Sequence, residues 1–229
     1  MRSIDHKLVR IWRIGTTHDQ DKLNAYSAVL SAEELARAEK LRIENQRNMY
    51  ITSHAAMRMI LAEHLQTKPT TVDIKQQEKG KPFIKHTAPL HFSLSHTRDI
   101  ALFALSTEQP VGLDIEQIKP AKDIMGIARR FYGSDEFNWL NNLDEQEQLT
   151  AFYQTWCYKE AILKGTGQGI QGGLDKVMIK PQQLAKGGEI KHENNLWFFQ
   201  PIHIKTGYKS AVAHSQSRFE VDLATWEPS

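Results

Sequence analysis

Apolar positions recur at two periods along this chain, and each change of period marks a new element. Lys7 to Ile14 alternates, carries Val9, Ile11 and Trp12, and predicts a strand. Ser31 and Glu34 have the spacing of a capping box and open a helix expected to reach about Glu44. A second helix is expected over about Asn48 to Gln66. Its apolar stripe is Tyr50, His54, Met57, Leu61 and Leu65, and Pro69 stops it. Val72 to Gln76 predicts a short strand, Gly80 to Ile84 a turn into extended chain, and Phe92 to Thr97 a further strand. The almost continuous apolar run Ile100 to Ser106 predicts a buried strand.

Pro110 marks the expected boundary between two halves, 1–109 and 110–229. Beyond it, Val111 to Glu116 alternates strictly. Val111, Leu113 and Ile115 point one way, and Asp114 and Glu116 point the other, about 7 Å apart along the strand. Helices are expected at about Lys122 to Phe131 and Ser134 to Leu143. A longer one follows, in which Leu149, Phe152, Trp156 and Leu163 recur at helical spacing. Asp144 and Glu147 upstream have capping-box spacing, and Gly165, Gly167 and Gly169 end it. Strands are then expected at Leu174 to Ile179, Leu196 to Phe199, Ile202 to Lys205 and Tyr208 to His214, with turns at Gly187-Gly188 and Asn194-Asn195. Each half thus has a long helix followed by strands and ends in an apolar strand, a faint internal echo without sequence identity.

Composition narrows the classes. The 229 residues allow one large domain or two small halves, and 40% apolar residues suffice for a core. No run approaches the ~18 apolar residues of a membrane span. The amino-terminal residues lack the apolar segment of a secretion signal. Cys157 is the only cysteine, which excludes an intrachain disulfide and suits a reducing, cytoplasmic setting. Among bulky neighbours it reads as a buried thiol rather than a nucleophile. A net charge of +2 without a basic block does not argue for nucleic acid, but is compatible with an acidic partner or a polyanionic small molecule.

Three carboxylates stand out: Asp114, Glu116 and Glu160. Oxygen ligands of this kind suit Mg²⁺, which keeps waters and is completed by substrate phosphates. There is no Cys/His cluster with zinc spacing, no phosphate-binding Gly-rich loop ending in Gly-Lys-Ser/Thr, and no Gly-x-Ser-x-Gly elbow. Glu160 and Lys164 sit one turn apart on the long helix. Taken alone, they read first as a solvated pair worth about 0.3 kcal/mol, and only second as a place to polarise an anionic substrate.

Four motifs in order decide between these readings: Gly80-Lys-Pro-Phe83, Phe92-Ser-Leu-Ser-His96, Val111-Gly-Leu-Asp-Ile-Glu116 and Trp156-Cys-Tyr-Lys-Glu-Ala-Ile-Leu-Lys164. With them the chain resembles the 4′-phosphopantetheinyl transferases, specifically the long, surfactin-synthetase-activating (Sfp) type, from about Ser31 to about His214. Each motif is weak alone; the four together, in a chain of the family's length, are specific.

The resemblance implies an α+β pseudo-dimer of two similar halves, with coenzyme A bound in the cleft between them. The phosphopantetheine arm moves to a serine of an acyl or peptidyl carrier protein, and adenosine 3′,5′-bisphosphate leaves. The implied metal ligands are Asp114, Glu116 and Glu160, holding Mg²⁺ against the diphosphate. Glu160 is also the implied base, acting directly or through a metal-bound water, and Lys164 stabilises the departing phosphate. Lys159 either faces the diphosphate or braces Glu160. Arg37, Lys81, Ser95 and His96 align with positions that contact coenzyme A, although Lys81 also reads as an ordinary turn lysine and His96 as a strand-end histidine. The chain departs from the family where Glu34 and Met49 stand at basic positions, and Arg47 is the candidate substitute. Carrier docking is implied near Gly167 to Gln171, with Ile170 and Lys176 set against an acidic helix; a plain solvent-facing loop is the other reading. A fused pseudo-dimer makes a monomer the expectation. Two rivals remain: a metal-dependent phosphohydrolase acting on coenzyme A or a nucleotide without a carrier, and a non-catalytic module that binds without turnover.

Overall fold

The computed structural model describes residues 7–87, 89–120, 123–169 and 173–228. Two four-stranded sheets lie face to face, and each is covered on its outer side by one long helix. In the first half β1 (Lys7–Gly15) is followed by α1 (Gln20–Ser27), α2 (Ala32–Glu39) and α3 (Glu44–Leu65), then by the hairpin β2 (Ile74–Gln76) and β3 (Pro82–Ile84), and by β4 (His91–Thr97) and β5 (Ile100–Ser106). The second half has β6 (Val111–Gln117), α4 (Ile124–Phe131), α5 (Ser134–Asn141), α6 (Glu145–Thr166), β7 (Gly188–His192), β8 (Asn195–Pro201), β9 (Tyr208–Ser215) and β10 (Phe219–Thr225). The architecture is α+β with two similar halves, each a sheet and a long helix, as expected.

The sheet orders are β10-β1-β5-β4 and β6-β9-β8-β7. Val9, Ile11, Leu102 and Ala104 of the first sheet meet Val111, Leu113, Ile115 and Val212 of the second in a shared core. On the outer faces, α3 buries Met57, Ile60 and Leu61 against Phe92 and Phe103, and α6 buries Cys157, Ala161 and Ile162 near Trp197 and Phe199. The halves also meet at a seam of hydroxyls. Ser93 Oγ accepts from Leu113 N at 3.1 Å, and Ser95 Oγ accepts from Ile115 N at 3.4 Å.

Local chemistry sets the ends of these elements. Ser31 and Glu34 form the expected capping box. The helix behind it stops at Glu39, short of Glu44, and α3 starts at Glu44, four residues before Asn48. Gln66 closes α3 in the left-handed conformation, with φ 52°. Asp144 caps α6 by accepting from Gln146 N and Glu147 N, and Gly167, at φ 79°, ends it. Asp123 caps α4 through Gly126 N; Lys122, the expected start of that helix, lies outside the described residues.

Several expectations fail for identifiable reasons. Leu174 to Ile179 is not a strand but a 3₁₀ turn followed by irregular chain. Its backbone is satisfied by buried side chains rather than by a neighbouring strand: Leu174 O and Val177 O accept from Lys159 Nζ, and Ile179 N donates to Glu136. Ile202 to Lys205 runs as a loop after β8 has ended at Pro201. Three elements, α1, β7 and β10, had no counterpart in the sequence reading. Of these β10 matters most, because it pairs in parallel with β1, from Lys7 opposite Phe219 to Arg13 opposite Thr225. The last strand after Pro110 therefore completes the sheet of the first half. Among the described residues no helix is long and apolar enough to cross a membrane.

Candidate functional site

Strand β6 and helix α6 cross so closely that only glycine fits between them. A Cβ on Gly112 would lie 1.9 Å from Ala161 O and 2.3 Å from Gly165 N. This contact, two residues before Asp114 on the strand and just beyond Glu160 and Lys164 on the helix, brings Asp114 of β6 against Glu160 and Lys164 of α6. Lys164 Nζ donates to Asp114 Oδ1 at 2.6 Å and to Ser95 Oγ at 3.0 Å. Ser95 Oγ in turn donates to Asp114 Oδ1 at 2.9 Å, so a hydroxyl of the first half completes the cluster.

Asp114 is 3% exposed and Glu160 is 5% exposed. Asp114 Oδ2 and Glu160 Oε1 are both buried without a hydrogen-bond partner. Burial, with Asp114 adding repulsion against the attraction of Lys164, pushes the Glu160 carboxyl up to about 7. Glu116 is likewise pushed up to about 7, first by burial and then by Asp114 and Glu160, with Lys164 and Lys119 opposing. Burial works against the Lys164 ammonium, but contact with Asp114 and the nearby Glu160 raise it overall. Three carboxylates thus crowd around the Lys164 ammonium, and two of their buried oxygens lack a hydrogen-bond partner.

Such a donor set fits a hard divalent cation, whose ligands are oxygens and whose charge would relieve the repulsion. Among the described residues, no three Asp, Glu, His or Cys side chains already stand around one point. Asp114, one of the three carboxylates, is held by the Lys164 ammonium.

Two cavities adjoin each other at Gly80, Pro82 and Leu94, and the smaller reaches the cluster through Lys164. The smaller, about 230 Å³, is walled by Gly80, Lys81, Phe92, Leu94 and Lys164. The larger, about 1420 Å³, runs between α2, α3 and the β4 end, past Arg37, Tyr50, His54 and His96 to Lys119. Lys81 Nζ donates to Gly165 O at 2.5 Å and to Val111 O at 3.4 Å, and burial pushes its ammonium down to about 8. It therefore ties the first half to the last turn of α6 while lining the smaller cavity. His96 stands at the mouth of the larger one, its imidazole held below its ordinary value by partial burial and by Lys164 and Arg37. Arg37 is exposed on that wall.

Two sequence expectations change here, those for Lys159 and Arg47. Lys159 reaches neither the cleft nor Glu160. It is 0% exposed, donates to Glu136 Oε2 at 2.7 Å and to Leu174 O at 2.8 Å, and lies over the Tyr132 ring. Helical geometry sends adjacent residues about 100° apart, so Lys159 and Glu160 face different surroundings. Arg47 turns to Leu41 O rather than to the cavity. Glu34 binds Arg58 Nε at 2.6 Å, and Arg58 also donates to Pro69 O and Val72 O, so that pair is structural. Met49 is packed at 1% exposure. Ile170 lies outside the described residues, while Lys176 is exposed. Cys157 is a free, buried thiol, its Sγ 3.3 Å from Lys209 O, and burial raises it well above its ordinary value.

Sequence reasoning missed Glu136. It is 3% exposed, accepts from Lys159, from Gly133 N and from Ile179 N, and fixes the chain after α6. Its signal was weak: an acidic residue three positions into a helix after a glycine.

Comparison with known proteins bears on the whole arrangement. A family model described as the amino-terminal part of 4′-phosphopantetheinyl transferase matches residues 17–108, and that of the 4′-phosphopantetheinyl transferase superfamily matches 110–215. The 4′-phosphopantetheinyl transferase HetI of Nostoc is 32% identical over 183 residues, 78% of this chain and 77% of HetI. The Sfp protein of Bacillus subtilis, also a 4′-phosphopantetheinyl transferase, is 25% identical over 205 residues, 89% of this chain and 90% of its own. Members of the superfamily generally use Mg²⁺. With two adjoining family matches, relatives along most of its length, and the acidic cluster set between its two halves, the chain belongs to the 4′-phosphopantetheinyl transferase superfamily as a long, Sfp-type member, and its activity is 4′-phosphopantetheinyl transfer to carrier proteins.

Proposed function

We propose that coenzyme A lies along the two cavities with its diphosphate at Asp114, Glu160 and Lys164, and that a carrier-protein serine attacks there. The observation that carries this reading is the pair of buried, unpartnered oxygens, Asp114 Oδ2 and Glu160 Oε1, beside an ammonium. The first half, residues 1–109, contributes donor contacts through Arg37, Lys81, Ser95 and His96; the second half, 110–229, contributes the acidic and catalytic side chains and the carrier surface. A divalent ion held by Asp114, Glu116 and Glu160 would neutralise charge on the diphosphate as the phosphorus–oxygen bond breaks.

The protein's own groups do the rest. The serine Oγ forms a bond to the phosphorus bearing the pantetheine arm, and the bond from that phosphorus to the bridging oxygen breaks. The bridging oxygen leaves with adenosine 3′,5′-bisphosphate, and Lys164 stabilises its charge. The serine proton passes to Glu160, whose carboxyl, pushed up to about 7, is matched to proton transfer near neutral pH. Lys81 sets the end of α6 from which Lys164 projects. Exposed Lys176, with Met178 at 37% exposure beside it, offers a basic and apolar edge to an acidic carrier helix. The reading includes a monomer, since one chain supplies both sides of the site, and a reducing cytoplasmic setting, in keeping with free Cys157.

Purified apo carriers of fatty-acid, polyketide and peptide type, incubated with the protein, coenzyme A and Mg²⁺, are read by mass spectrometry. A carrier that gains the phosphopantetheine mass only with all components present supports the proposal and names the partner. Bisphosphate release that ignores the carrier would instead point to a hydrolase, and Glu160→Gln with full activity would remove Glu160 from its role.

A further inference from the structure

Lys164 occupies a position that needs explaining. Its ammonium sits on Asp114 Oδ1 at 2.6 Å, yet its side chain is 32% exposed and lines the smaller cavity. Asp114 is 4% exposed at the side chain, and its second oxygen has no partner. A carboxylate this buried cannot stand unpaired without a large penalty, so the lysine answers a need of the donor-free protein. Ser95 Oγ touches both partners, donating to Asp114 and accepting from Lys164. If the lysine leaves, Ser95 still holds Asp114 in place. The long lysine stem has cavity on one side into which to move.

A divalent ion that uses Asp114 must compete with this ammonium. Alone, it would bring charge but give Lys164 nothing in exchange. A diphosphate donor brings both: anionic oxygens for Lys164 and further oxygen ligands for the ion. We propose that Lys164 is an internal counter-ion on Asp114 that is drawn off by the donor's diphosphate, so that metal and donor enter the site together and the metal alone binds poorly. This rests on the reading of Asp114 and Glu160 as metal-facing groups. It adds a role for Lys164 before any bond is made or broken. By linkage, the factor by which coenzyme A tightens the ion equals the factor by which the ion tightens coenzyme A.

The test uses Mn²⁺ as the probe, with free Mn²⁺ read by electron paramagnetic resonance at pH 8 and no carrier present. Without coenzyme A, Lys164→Met should bind Mn²⁺ at least about 10-fold more tightly than wild type, the size of an ordinary coupling between sites. Lys81→Met removes a charge from the same cavity without touching Asp114, and should change the affinity less than about 3-fold, about half of one such step on a logarithmic scale. Coenzyme A should tighten Mn²⁺ by a factor at least about 10 times larger in wild type than in Lys164→Met, because chelation by the donor is common to both and only the lysine differs. Lys164→Gln repeats the measurement if the Met variant does not fold.

Equal Mn²⁺ affinity in wild type and the Lys164 variants would overturn the proposal, as would an equal gain in Lys81→Met, which would reduce the effect to general charge. Failure of the functional reading looks different: wild type would then leave every carrier unmodified in the mass-spectrometric assay, whatever its metal affinity.

Discussion

Replacing Glu160 by Gln should separate stability from activity in opposite directions. Burial pushes the Glu160 carboxyl from its ordinary 4.5 up to about 7, with Lys164 opposing and Asp114 adding to the rise. A folded-state value above the unfolded one means that the native protein holds this proton more tightly. The contribution to stability is therefore present in full below about 4.5 and is lost as pH rises through about 7. At about 1.4 kcal/mol per tenfold change, the loss by pH 8 amounts to about 3 kcal/mol. The residue is 5% exposed, so solvent screening takes little from that figure. Gln keeps the shape and never ionises. The stability of Glu160→Gln relative to wild type should thus improve by about 2–3 kcal/mol between pH 5 and pH 8 in the absence of metal and donor. For a chain of this size that corresponds to a relative gain in Tm of about 5–10 °C. Urea unfolding at the two pH values measures it directly, and the carrier assay should show activity lost in the same variant. A difference between variant and wild type that is the same at both pH values would refute the reasoning, because the carboxylate would then be no more costly to ionise in the fold than outside it.

Three other substitutions probe the frame around the site. Lys159→Met leaves the Glu136 carboxylate buried and without its cation, and should lower stability by about 3–5 kcal/mol in urea, with much of it restored when Glu136→Leu is added. Gly112→Ala sets a methyl group 1.9 Å from Ala161 O, so a loss of at least about 3 kcal/mol or failure to accumulate soluble protein is expected on thermal melting. His54, stacked on Tyr50 and pushed down to about 4 chiefly by burial, is held neutral in the fold. Its contribution is lost as pH falls below about 6.5, so His54→Gln should be favoured over wild type more at pH 5 than at pH 8.

The acidic cluster was legible in the sequence because it rests on two short-range rules. Alternation along Val111 to Glu116 sends Asp114 away from the shared core, and helical spacing puts Lys164 one turn from Glu160. Gly112 shows why the two meet, yet its need for zero side-chain volume is invisible until the helix that crosses it is known. Lys159 was misread for a related reason: spacing gives its direction on the helix, but not that Glu136, Leu174 O and Val177 O wait there. The same bonds explain the missing strand at Leu174 to Ile179, whose apolar alternation was real but whose backbone partners were side chains. In β10, Phe219, Val221 and Leu223 alternate with Glu220 and Asp222, a sound strand signal; its pairing with β1, some two hundred residues away, follows only from the fold.

That pairing bears on how a site between two halves keeps its dimensions. Ser95 reaches Asp114 from the first half, and Lys81 reaches Gly165 and Val111 from the same side, so the cluster is set by the spacing of the halves as much as by either alone. The hydroxyl seam from Ser93 and Ser95 to Leu113 and Ile115 fixes one edge of that spacing. The far edge is fixed by β10, which carries the chain from β9 of the second half onto β1 of the first, with Arg10 bound to Asp222 and Trp226 N donating to Arg13 O. Trp226 then packs on Tyr26 of α1, against the helices that wall the larger cavity. Moving one half against the other would have to part the hydroxyl seam and the shared core of Val9, Ile11, Val111 and Leu113, so movement of side chains within the cleft, Lys164 foremost, is the cheaper way to admit a donor.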